Sequence, residues 1–132
     1  MDHNFSTLLY FSSNSKPTQP MFLIVTKYLI PKGYRGLAAF PFVFVKYRVD
    51  NENLVFLNHE KIHLRQQLEL LVLPFFIWYF LEYLFRLVQY KNADLAYRNI
   101  SFEREAYANE LNLKYLKNRA FWRFLNHLTL KK

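Results

Sequence analysis

Cysteine is absent from the 132 residues, and that single gap removes disulfides, thiolate metal ligands and a cysteine nucleophile together. Any metal this chain holds must be taken by histidines and carboxylates. Glycine is nearly absent: Gly33 and Gly36 are the only two, too few for a G-x-G-x-x-G turn or a P-loop, so nucleotide-phosphate chemistry is not expected. Acidic residues number 10 against 18 basic ones, a formal charge of +8. The lysines and arginines are scattered, with no dense basic stripe and no nucleic-acid-binding motif, which argues against nucleic acid as a partner.

Long apolar runs are short of membrane-spanning length. The greasiest stretch, residues 70–90, is unbroken only from Leu70 to Leu81, with Pro74 inside it and Glu82 and Arg86 beyond. Those twelve residues fall short of the about 20 that cross a bilayer. The expectation is a buried or interface-lying helix with Glu82 and Arg86 paired on its surface. Its aromatics Phe75, Phe76, Trp78, Tyr79 and Phe80 would be able to dip into lipid. The first twenty residues lack the basic start and apolar stretch of a signal peptide. Rich in Ser and Asn, with Pro17 and Pro20, they read as a flexible tail. Met21 opens the first coherent apolar segment, and translation beginning there would fit the contrast. Residues 21–132 are then a single domain by length, expected in the cytoplasm or on the inner face of a membrane.

What is present is apolar and aromatic: 52% hydrophobic residues, 20% Phe, Tyr and Trp. Grease combined with positive charge points to peripheral association with a membrane surface. The run Met21–Ile30 reads as a strand ended by Pro31-Lys32-Gly33, and Leu37–Val49 as a second, with Pro41 restricting its first half. The two would form a hairpin or small sheet whose edge an extended peptide can join. Asp50 to Asn53 supplies caps, with Glu52 in the first turn of a helix reaching about Glu69. Lys91–Ile100 reads as a polar connection. Ser101 reads as the cap of a helix starting FEREAYANELNLKYL, and AFWRFLNHLTLKK as a basic amphipathic end. The fold class is α+β, mainly helical.

Two of the four histidines fall four residues apart in Asn58-His59-Glu60-Lys61-Ile62-His63. On a helix they stack one turn apart and can reach one ion, while Glu60 stands beside it, placed to take a proton from water. From this composition the pattern His-Glu-x-x-His arises by chance with a probability of about 0.006. Projected on a helix, Phe56, His59, Glu60, His63, Gln66 and Gln67 share a face suited to a cleft. Leu57, Leu64 and Leu68 form an apolar stripe, and Lys61, Arg65 and Glu69 a polar one. Catalytic zinc commonly takes three protein ligands, so a third is expected from a downstream His, Asp or Glu.

Residues 54–110 resemble the gluzincin metallopeptidases, most nearly the very small, minigluzincin-like ones and the catalytic cores of membrane-associated ones. Their later helix carries E-x-x-A-D, and Glu105-Ala106-Tyr107-Ala108-Asn109 follows it with Asn for Asp. Glu103-Arg104-Glu105-Ala106-Tyr107 fits in a second frame with Tyr for the acid. With Ser101 as cap, Glu103 falls in the first turn, where the helix dipole alone accounts for it. Glu105 is therefore the expected ligand, with Asn109 one turn on to orient a histidine. The resemblance implies a zincin-like domain and a zinc peptidase acting on peptides or proteins, with His59, His63 and Glu105 on Zn²⁺ and Glu60 as general base. It also implies an oxyanion donor, for which Tyr97, Tyr107 and His127 are candidates. The competing class is a non-catalytic, metallopeptidase-like module that binds a membrane or a protein partner.

Overall fold

The computed structural model describes residues 21–47 and 53–129, and the backbone of 6–9. Strands β1 (Ser6–Leu9), β2 (Phe22–Val25), β3 (Gly36–Ala39) and β4 (Phe42–Val45) come first. Helices α1 (Leu54–Leu70), α2 (Val72–Tyr90), α3 (Ala93–Arg98), α4 (Ser101–Asn109) and α5 (Tyr115–Asn118) follow, then a 3₁₀ turn at Arg123–His127. The class is α+β and mainly helical.

The sheet runs β1-β2-β4-β3, with β2 and β4 parallel and both outer pairs antiparallel. Part of the stretch read as a flexible tail is thus an edge strand; the rest of it lies outside the described residues. The second apolar run is two strands rather than one, because it folds back at Phe40-Pro41. Pro41 donates no hydrogen bond and sits comfortably in a turn. Alternation sends Leu23, Ala38, Val43 and Val45 to one face, where Met21 and Leu57 and Leu64 of α1 complete a core. Phe22, Phe42 and Phe44 lie in a row on the other face, neighbouring rings tilted to one another at centroid distances of 5.7 and 6.0 Å.

Asn53 caps α1, its side chain accepting from Phe56 N–H at 3.0 Å. Glu52, expected in the first turn, precedes the helix and lies outside the described residues. The break after α1 falls at Leu71, whose φ of 62° and ψ of 144° end one helix and start the next. Pro74 then occupies the first turn of α2, where a missing N–H costs nothing. Phe75 of α2 joins Ile100, Phe102 and Phe124 in a second core.

Three expectations on this side need correction. The connection after Lys91 contains α3, capped by Asn92, with Asp94 in its first turn and Arg98 in its last. Ser101 is not a cap but the first helical residue of α4; its N–H and Oγ both donate to Glu82, at 2.7 and 2.6 Å. Glu82 and Arg86, expected on the surface of α2, are 8% and 6% exposed and turned into the protein. Phe75 is buried and Phe76, Trp78 and Tyr79 are half-buried, so among the named aromatics only Phe80 stands free of the core.

A candidate metal centre between the helices

Leu57 and Leu64 fix α1 against the sheet, and Phe102 fixes α4 in the second core. Between these anchors the facing sides of α1 and α4 bring His59, His63 and Glu103 together, all buried. The two imidazole Nε2 atoms are 3.1 Å apart. Glu103 Oε2 lies 3.1 Å from His59 Nε2, and Oε1 lies 3.2 Å from His63 Nε2.

The hydrogen-bond partners fix which nitrogens carry protons. Glu110 is a carboxylate, so His59 Nδ1–H donates to it, at 2.8 Å. Gln66 Nε2 is committed to two acceptors, the Phe102 carbonyl at 3.1 Å and Glu105 Oε2 at 2.9 Å. Its Oε1 therefore faces His63 and accepts from Nδ1–H at 2.9 Å. In neutral rings both Nε2 lone pairs then point at each other and at a carboxylate, an arrangement that calls for either a proton on one ring or a metal ion between them. Donor atoms 2.0–2.1 Å from a tetrahedral zinc stand about 3.3 Å apart. The observed spacing fits that geometry, and two histidines with one carboxylate are a normal donor set for the ion.

The third corner is a correction of the sequence reading. Glu105, fully buried, points away from the histidines and is held by Arg119, Gln66 and Tyr115. Arg119 also pairs with Glu69, whose side chain is buried here rather than on the polar, solvent-facing stripe expected from the helical projection. Glu105 steadies the centre at one remove, through Gln66. Asn109 donates to the carbonyl of Glu105 on its own helix, at 2.8 Å, and touches neither histidine. The orienting role expected of it falls to Glu110. Tyr107 lies edge-on to the His59 ring, with centroids 4.6 Å apart. His127 lines a separate hollow with Arg98 and Arg104, and its carbonyl accepts from Arg104. Asn58, which drew no attention in the motif, donates toward the carbonyls of Asn109, Glu110 and Asn112 and so ties the end of α4 to α1.

Electrostatics follow this packing. Burial works against the charged form of His63, but Glu103 outweighs it and raises the imidazole to about 9. Burial likewise opposes ionisation of Glu103, and the two histidines more than compensate, holding its carboxyl low. Glu60 is the contrasting case, since desolvation dominates and pushes its carboxyl up. Two adjoining clefts, of about 550 and 450 Å³, reach the site, and Glu60, Gly36, Tyr34 and Tyr97 line both. The first adds His59, Lys32 and Arg98; the second adds His63, Glu103 and a wall of Phe75, Phe76 and Tyr79. Burial raises the Tyr97 phenol, so it remains a hydrogen-bond donor.

Strand β3 borders the second cleft. Residues 37 and 39, with Arg35 just before the strand, turn their backbone groups to β4 and its extension, as the Lys46 N–H to Arg35 carbonyl bond shows, so those of 36, 38 and the following residue 40 face outward. Gln67 of α1 closes part of this edge, accepting from Phe40 N–H at 2.7 Å and donating to the Ala38 carbonyl at 2.8 Å. Comparison with known proteins found no matching family model, no matching curated relative and no matching solved structure. The chemistry of the centre rests on its own geometry.

Proposed function

We propose that the chain is a zinc-dependent peptidase, a reading carried by one observation: two tautomer-fixed histidines and Glu103 converge beside a buried carboxylate that lines open clefts. A zinc ion held by His59, His63 and Glu103 supplies a lowered water pKa and a polarised carbonyl. The rest belongs to the chain. Glu60, with its raised pKa, takes a proton from the water whose oxygen attacks the peptide carbonyl carbon. It delivers that proton to the amine as the C–N bond breaks. Tyr97 offers its phenolic O–H to the oxygen on which negative charge develops. The outward Gly36 carbonyl and Ala38 N–H offer an extended substrate a strand to pair with, up to the point where Gln67 closes the edge. Gly36 has a second duty, because a side chain there would collide with Phe56 of α1.

Protein purified without a histidine tag should carry about one zinc per chain. His59→Ala and Glu103→Ala should lose it, and Glu60→Gln should keep it while peptide cleavage falls at least about 100-fold. Zinc retained by Glu103→Ala would overturn the ligand assignment. Bound zinc with no cleavage of any peptide library member would favour the non-catalytic module instead.

A further inference from the structure

Helix α2 is inside out for a helix facing water. Its charged residues, Glu82 and Arg86, are buried against the protein. Its outer face holds seven large apolar side chains between Leu73 and Val88, each 40–77% exposed. Leu73, Ile77, Phe80, Leu84 and Val88 form the spine at spacings of three and four, a stripe about 22 Å long. Among the exposed residues of this helix only Gln89, near its end, is polar. In water such a surface is a liability, and patches of this kind mark a binding surface. Ionisable residues turned inward with apolar ones outward are the arrangement seen where the surroundings are lipid.

We infer that the outer face of α2 docks the protein onto an anionic phospholipid bilayer, the helix lying in the interface. By length and composition the 19 residues of α2 would suffice to cross a membrane, but the helix packs lengthwise on neighbours that keep charged surfaces. Asp94 and Arg98 of α3 remain 71% and 60% exposed, which fits a helix lying flat. Charge selects the occupant: a chain of +8 repels a second copy of itself and is drawn to anionic headgroups. Beside the spine a groove of about 600 Å³, lined by Ile77, Trp78, Leu81, Phe85, Leu128 and Arg86, has the apolar character to take an acyl chain. None of this depends on the metal reading.

The test is vesicle flotation with phosphatidylcholine alone and with added phosphatidylglycerol, comparing the native chain with the Ile77→Gln, Phe80→Gln, Phe85→Gln triple variant. The native protein should float with the anionic vesicles and at least about tenfold less with phosphatidylcholine alone, and the triple variant, whose net charge is unchanged, should bind the anionic vesicles at least about tenfold more weakly. A second measurement needs no change to the face. In Trp122→Phe protein the remaining tryptophan, Trp78, lies in the groove, and brominated acyl chains should quench it. The inference is overturned if Trp78 is not quenched, or if the folded triple variant binds vesicles as well as the native chain. A native dimer that ignores vesicles and is dissolved by the triple substitution would overturn it in favour of self-association.

Discussion

Two glutamates two residues apart have opposite fates, and the reason is angular. Glu103 and Glu105 are separated by about 200° on a helix, so α4 cannot turn both toward α1's histidines. The sequence accounted for Glu103 through the helix dipole and left Glu105 free to be the ligand. The packing of α4 on α1, invisible along one dimension, reverses that choice. A clue was present in the second frame: Glu110 falls seven residues after Glu103, on the same face. Glu110 fixes the tautomer of His59, so Glu110→Ala should weaken zinc binding about 10- to 100-fold. Asn109→Ala, which loses only a bond within its helix, should change it by no more than about twofold. Competition against a chromophoric chelator measures both; equal effects would contradict the assignment of roles.

The elements whose signals are local were the legible ones. A cap for α1 somewhere in Asp50 to Asn53, the shared face of His59, Glu60 and His63, and strand character within the two apolar runs could be read directly; that the cap is Asn53, with Glu52 before the helix, could not. Elements settled by tertiary partners were not. The start of α4 is satisfied by Glu82 from another helix, and the fold-back at Pro41 is set by pairing of β4 with β2. The capped, charge-matched α3 carries its signal openly in Asn92, Asp94 and Arg98, within a stretch whose overall polarity reads as a connection. The α1–α2 junction offers a prediction of its own. Leu71 holds a positive φ that side chains rarely adopt while its side chain is 70% exposed. Relief of backbone strain should outweigh the added freedom of the unfolded chain, so Leu71→Gly should stabilise the fold by about 1 kcal/mol. Urea unfolding checks it, and a loss of stability would show that the junction is unstrained.

Across the whole molecule, two cores share one buried polar seam. The sheet with α1 forms one core and the aromatic cluster of α2, α4 and Phe124 the other. The histidines, Glu103, Gln66, Glu105 and Arg119 lie where helices from the two meet. A metal ion in that seam would join both halves, and without it Glu103 is left to pair with a protonated His63. Zinc at 100 times its dissociation constant should add about 2.7 kcal/mol, raising the melting temperature by about 10 °C. Chelation should reverse the gain, and a melting curve indifferent to zinc would speak against a site in the seam. The composition had signalled both grease and charge; it could not show that α2 turns its charges inward, since that depends on Ser101, Trp78 and the Leu128 carbonyl as partners.

The most direct test is an anomalous difference map from crystals of zinc-loaded protein, recorded on both sides of the zinc absorption edge. A single peak within about 2.0–2.2 Å of His59 Nε2, His63 Nε2 and a Glu103 carboxylate oxygen is the expected result. A peak bound to Glu105, or zinc only at surface sites with the two imidazoles turned apart, would contradict the account.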